Sequence, residues 1–154
     1  MKIKLKIKEM FAISKLPRVT NIIGYKSALT KLFYEMLDTQ EFCELIDYTE
    51  KLYQKKQKFI ELINKVKSQS IPDSEKEESI KKILSDYEIE NQDLIKLIND
   101  YLNNDEKEFE FEFNTLTVNA IKFILENQDT EISKLGLDSS LVNILVDFYA
   151  KKMS

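Results

Sequence analysis

Hydrophobic and polar residues alternate with period two in two places along this chain, KIKLKIK at residues 2–8 and EFEFEF at residues 108–113. In a β-strand successive side chains point to opposite faces. Ile3, Leu5 and Ile7 then share one face and Lys2, Lys4, Lys6 and Lys8 the other, while Phe109, Phe111 and Phe113 oppose Glu108, Glu110 and Glu112. The two segments match in spacing and are opposite in charge. Pairing them sets Lys beside Glu on a wet face and aliphatic beside aromatic side chains on a dry one. A slip of one residue would turn every apolar side chain into water, so the register is well determined. Two strands alone are marginal in water, and helices must cover the dry face. Either strand also leaves an edge that a partner's strand can join.

Between and after the strands the apolar period changes to three and four. EMFAISKL forms a short helix that stops before Pro17, and residues 25–67 read as helix throughout. Leu29, Leu32, Phe33, Met36, Cys43, Ile46, Tyr53, Ile60 and Ile63 carry the pattern. Unbroken, such a rod is ~65 Å long, against a radius of gyration of ~15 Å for a compact chain of this length. DTQE at Asp38–Glu41 resembles a capping box, and a break is expected near Asp38. Cys43, on this helix, is expected to be a buried, inert thiol.

The clearest linker is SQSIPDSEKEES, where Pro72 ends one element and Ser74 with Glu77 caps the next. That helix carries Ile80, Ile83 and Leu84, and a further one carries Leu94, Ile95, Leu97, Ile98, Tyr101 and Leu102. Beyond the second strand, Thr117 is expected to cap a helix bearing Val118, Ile121, Ile124 and Leu125. Gly136 reads as a stop signal, and Asp138 or Ser139 starts a last helix with Leu141, Ile144, Leu145, Phe148 and Tyr149 on one face. The expected fold is mainly α: a single helical domain over residues 1–154, with one long helix and a two-stranded β clasp joining the N-terminal strand to residues 108–113.

Composition agrees. A hydrophobic fraction of 43% with 32% charged residues is that of a folded domain, so global disorder is not expected. Two Gly and two Pro are too few for a turn-rich sheet protein. The basic amino terminus lacks the apolar core of a signal peptide, and no segment approaches ~20 apolar residues, so no membrane span is expected. A cytoplasmic location, the host cytoplasm if the chain is viral, is the expectation. The net charge of −4 is unevenly spread, since residues 1–36 hold eight Lys or Arg against two acids. This basic end either meets an acidic partner or phosphate, or is neutralised by the acidic remainder.

Several chemistries are excluded by residue type. Histidine is absent, which removes zinc sites of the usual kind and Ser–His or Cys–His nucleophiles. One cysteine allows neither an intramolecular disulfide nor a Cys-based zinc site. GYKS at Gly24–Ser27 only echoes the end of a phosphate-binding loop, without the Gly-Lys pair that wraps phosphate. Glu41, Glu44 and Asp47 fall at i, i+3 and i+6, which suits a hard metal ion, but the His of di-iron bundles is missing and a solvated stripe is expected. No catalytic residue, metal site or cofactor is assigned.

The densest basic-aromatic patch is Lys51, Lys55, Lys56 and Lys58 with Tyr48, Tyr53 and Phe59. Stacking beside cations is how nucleotides and single strands are held. Arg18 is the only arginine, however, so the planar fork that reads bases is nearly absent and nucleic acid is disfavoured. The candidate partner- or anion-binding residues are Lys2, Lys4, Lys6, Arg18, Tyr25, Lys26, Tyr48, Lys51, Tyr53, Lys55 and Lys56. Tyr25, Lys26, Lys51, Tyr53 and Lys55 are the set that would hold a nucleotide-type ligand.

MKIKLKIKE at the start and KEFEFEFNTLT near residue 110, with a short helix, a long charged helix and two short closing helices in order, resemble small phage-encoded proteins of unknown function from low-GC Gram-positive hosts. The resemblance implies a non-enzymatic protein that binds a host protein stoichiometrically, for instance to inhibit an antiviral defence. The alternatives are a sponge for a nucleotide-type signal, or an accessory of virion assembly or replication. A homodimer through the long helix is also expected.

Overall fold

The computed structural model describes residues 1–127 and 139–153. Strand β1 (Lys2–Lys6) lies antiparallel to β2 (Glu108–Glu112), with Lys2 opposite Glu112, Ile3 opposite Phe111, Lys4 opposite Glu110, Leu5 opposite Phe109 and Lys6 opposite Glu108. This is the clasp the alternating segments call for, Lys against Glu on one face and aliphatic against aromatic on the other. The first strand is shorter than its pattern. Ile7 opens helix α1 (Ile7–Ser14), because the carboxylate of Glu9 turns back to accept from the Lys6 N–H at 2.8 Å and so caps the first turn. Ile7 is still buried, now from a helix, and Lys8 leaves the lysine row to lie 3.5 Å from Asp105.

A 3-10 turn (Leu16–Arg18) with Pro17 leads to helix α2 (Ile23–Leu37), and α3 (Gln40–Lys67) follows. The expected break is present at residues 38 and 39. The N–H groups of Asp38 and Thr39 reach back three residues, to Glu35 O at 3.2 Å and Met36 O at 3.0 Å, which tightens and ends α2. The Thr39 carbonyl then accepts from Cys43 N at 2.9 Å to start α3. Cys43 is exposed, not buried: Phe42 and Leu45 take the inward positions on this turn and leave the thiol outside.

Helix α4 (Asp73–Leu102) is one element where two were expected. It holds neither Gly nor Pro, and nothing stops the helix between its two apolar clusters. Its start also differs, since the Pro72 carbonyl accepts from Glu75 N and Lys76 N at 3.1 Å each. Pro72 therefore stands at the cap position and Ser74 lies inside the first turn. Helix α5 (Thr115–Glu126) is capped by Asn114, whose Oδ1 accepts from Thr117 N at 2.8 Å and Thr117 Oγ1 at 2.9 Å. Thr117 is thus the capped residue and not the cap. Helix α6 (Ser139–Phe148) and a π-helical turn (Tyr149–Met153) follow. The expectations at Gly136 and Asp138 lie outside the described residues.

The chain divides into two compact units, residues 1–43 with 101–154, and residues 44–100. In the first, α2 packs on α5, and α1 on α2 and α6. Its core includes Leu5, Ile7, Met10, Ile13, Leu29, Met36, Phe42, Phe113, Ile121 and Phe148. Burying one such side chain stabilises by about 1.5–3 kcal/mol. Phe113 and Phe148 pair with ring centroids 6.3 Å apart, which joins the end of the clasp to α6. The second unit is a hairpin of α3 and α4, where Phe59 meets Tyr87 edge-on at 5.1 Å and burial raises the Tyr87 phenol above its ordinary pKa. Among the described residues of this unit only Leu45, Asn91 and Ile98 are buried.

Candidate binding surfaces

The residues singled out in the sequence fall on three surfaces. On α3, the period of the helix brings Tyr48, Lys51, Gln54, Lys55 and Lys58 to one side, where Leu94 of α4 completes a groove of about 450 Å³. Lys51 Nζ lies 3.2 Å from Asp47 Oδ2 and 5.7 Å from the centre of the Tyr48 ring, so one of its three lysines is already held. Tyr53 and Lys56 are exposed on α3 but do not line this groove. The pattern of basic and aromatic residues thus resolves into a groove of Tyr48, Lys51, Lys55 and Lys58, with Tyr53 and Lys56 outside it.

Tyr25 and Lys26 belong to α2, in the other unit. The Tyr25 ring is half-buried against Phe123 of α5 with centroids 5.6 Å apart, which makes it a packing group. Lys26 lies instead on the outer face of α2, with Ile23, Ser27, Thr30, Lys31 and Tyr34. Ala28, Leu29, Leu32 and Met36 point inward from the same helix. On the outer face Ile23 is 85% and Tyr34 64% exposed, and neighbouring Ile22 is 42% exposed. GYKS is simply the first part of this helix. The signal that would have revealed the face is that Ile23 and Tyr34 fall off the inward stripe, leaving large apolar side chains with no core to enter.

The third surface is the polar face of the clasp. Lys2, Lys4 and Lys6 stand opposite Glu112, Glu110 and Glu108. The Glu112 carboxyl is held below the ordinary carboxylate range, first by a hydrogen bond from the terminal ammonium at 2.7 Å and further by Lys2. A row of lysines matched by a row of glutamates is a weak place to hold phosphate. Arg18 is exposed in the 3-10 turn. It adds to burial in lowering the pKa of Lys15, whose ammonium sits 4.5 Å from the Phe11 ring centre.

The acidic stripe does not converge. Glu41 accepts from Lys107 Nζ at 3.2 Å, and its carboxyl is held below the ordinary range by its own peptide N–H first and by Lys107 next. Asp47 pairs with Lys51. Among the described residues no three carboxylate or thiol groups are placed to share a metal ion. No helix among those residues is long and apolar enough to cross a membrane. No protein-family model, no curated protein and no solved structure matches this chain.

Proposed function

We propose that this protein is a non-enzymatic binding protein that acts stoichiometrically on another protein, a host protein if the likeness to phage proteins holds. The observation that carries this reading is the outer face of α2, where Ile23 and Tyr34 stand 85% and 64% exposed beside Lys26 and Lys31. Large apolar side chains left in water along one helical face cost free energy until something covers them. The occupant this face fits is an amphipathic helix with acidic flanks, its apolar side on Ile23 and Tyr34 and its carboxylates near the two lysines. Inhibition of an antiviral defence is the use that the likeness suggests for such a complex.

The test is photo-crosslinking from position 34 in a low-GC Gram-positive host, followed by reconstitution with the purified partner. Wild-type chain should form a stoichiometric complex, and Ile23→Asp and Tyr34→Asp should abolish it with melting temperatures unchanged. Equal binding by both variants would overturn this use of α2. A second reading, a sponge for a nucleotide-type ligand, is favoured by the groove of Tyr48, Lys51, Lys55 and Lys58. Titration calorimetry with nucleotides and cyclic dinucleotides checks it, and heatless titrations remove it.

A further inference from the structure

The two edges of the clasp are not alike. Phe113 N donates to Met1 O at 2.8 Å while the Met1 amino group donates to Phe113 O at 3.0 Å, so these two residues form a mutually bonded pair. In an antiparallel ladder such pairs recur every second residue. Given the register, Ile3 with Phe111 and Leu5 with Phe109 are bonded in the same way. The peptide groups of Lys2, Lys4 and Lys6 therefore point outward from β1, and those of Glu108, Glu110 and Glu112 outward from β2.

On β1 two of these outward groups are occupied by side chains. Lys152 Nζ donates to the Lys4 carbonyl at 2.7 Å, and Lys6 N donates to Glu9 Oε1 at 2.8 Å. On β2 the outward peptide groups of Glu108, Glu110 and Glu112 meet no hydrogen-bond partner among the described residues. The dry face shows the same asymmetry. Ile3 and Leu5 are buried, whereas Phe109 and Phe111 are only half-buried. Among the described residues, side chains occupy part of the β1 edge, whereas the β2 edge is open in both its hydrogen bonds and its apolar cover.

We propose that the open edge of β2 accepts an extended segment of a second protein in which basic and apolar residues alternate. Such a strand would place its basic side chains beside Glu108, Glu110 and Glu112 and its apolar ones beside Phe109 and Phe111, as β1 does on the other side. A second copy of this chain does not fit. Its β2 would set Glu against Glu, and its β1 edge is blocked by Lys152 and Glu9. This surface is separate from the outer face of α2, and the two readings stand or fall independently.

The probe is a capped synthetic peptide, KIKLK, with EIELE as its charge control and a third version carrying N-methyl groups on the amides that would face β2. Peptide binding is read by fluorescence anisotropy and by amide hydrogen exchange of the full chain. KIKLK should slow exchange at the Glu110 N–H at least about tenfold, whereas displacement of the chain's own β1 by the peptide would leave that outward group unprotected. Glu110→Pro removes the outward donor at an edge position that tolerates proline, and it should abolish peptide binding while lowering the melting temperature by no more than the few degrees that losing one cross-strand pair costs. If that variant fails to fold, the N-methylated peptide carries the same test against wild-type chain. Unchanged exchange at Glu110 under saturating KIKLK, or equal binding of all three peptides, overturns the proposal. Protection that grows with protein concentration and needs no peptide also overturns it, because the occupant would then be a second copy.

Discussion

Lys152 Nζ lies 2.7 Å from Glu9 Oε1, joining the π-helical turn to the first helix across 143 residues of sequence. The same ammonium donates to the Lys4 carbonyl at 2.7 Å and Glu108 Oε2 at 3.2 Å, so one cation ties together both strands, α1 and the last turn. Glu9 is buried and also caps α1. Removing the ammonium therefore leaves a buried carboxylate with only the Lys6 N–H. Lys152→Met is expected to destabilise the fold by about 1–3 kcal/mol, measured by urea denaturation. The pH dependence has a definite sign. Burial alone would lower the Lys152 pKa, but the hydrogen bonds that its ammonium donates to Glu9 and Glu108 outweigh it and the pKa rises above the ordinary 10.5. A cation whose pKa is raised by folding contributes its stability in full below the unfolded value and loses it as pH climbs through the folded one. Above neutrality the gap between wild type and Lys152→Met should thus stay constant and close only in strong alkali. A gap that closes below pH ~9 would show that another group is responsible.

The pairing of Lys4 with Glu110 gives a second test, this time of register. Lys4→Glu sets two carboxylates opposite each other, and Glu110→Lys sets two ammonium groups opposite. Each single change should cost stability. The double exchange should recover roughly 0.2–1 kcal/mol relative to the sum of the singles, the usual worth of a cross-strand charge pair. A double-mutant cycle by denaturant melts reads the coupling directly, and additive effects would mean that the two side chains do not face each other.

These cases also show what the sequence makes legible. Strict alternation of opposite charge identified the two strands as partners and the face of each residue, because a one-residue slip has a large and uniform penalty; strand direction and the residue-by-residue register came from the structure. The break near Asp38 was visible because helix length conflicts with compactness. Local choices made by single side chains were not visible. The Glu9 carboxylate turns Ile7 from strand to helix, a contest between strand continuation and helix start that alternation cannot rank. Cys43 fits a three-four spacing, yet Phe42 and Leu45 fit a deeper one and win the interior. Among candidate site residues, Tyr48, Lys51 and Lys55 come together because helical period alone relates them. Tyr25 is drawn into packing by Phe123, a residue on a distant element that no local pattern points to.

Asn114 provides a third prediction. Its side chain accepts from both the N–H and the hydroxyl of Thr117, satisfying one of the open donors at the start of α5. Asn114→Ala should destabilise by about 1 kcal/mol, and Asn114→Asp or Asn114→Ser should retain most of that stability. Thr117→Ser keeps the hydroxyl and should cost less than Asn114→Ala. If thermal melts ranked the two the other way, the cap would have to be sought at Thr117.

The last prediction concerns Asn91, only 1% exposed on α4 in the helical hairpin. Its Nδ2 donates to the Tyr87 carbonyl at 2.9 Å, but its Oδ1 is buried with no hydrogen-bond partner. Flipping the amide does not help, because it would set Oδ1 against the Tyr87 carbonyl oxygen, two acceptors face to face, and leave an N–H at the orphaned position. A buried polar atom without a partner costs about 1–3 kcal/mol. The Tyr87 carbonyl meanwhile keeps the backbone bond that the helix itself provides. Replacing the side chain by an apolar one of similar volume removes the orphan and strands nothing. Asn91→Leu is therefore expected to stabilise the chain by roughly 1–2 kcal/mol, read as a higher denaturation midpoint with an unchanged slope. Asn91→Asp, which adds a charge to the same site, should lower stability at neutral pH and recover part of it in acid, where the carboxyl is protonated. A destabilised Asn91→Leu would mean that Oδ1 has a partner in solution, and that the hairpin keeps its asparagine for that contact.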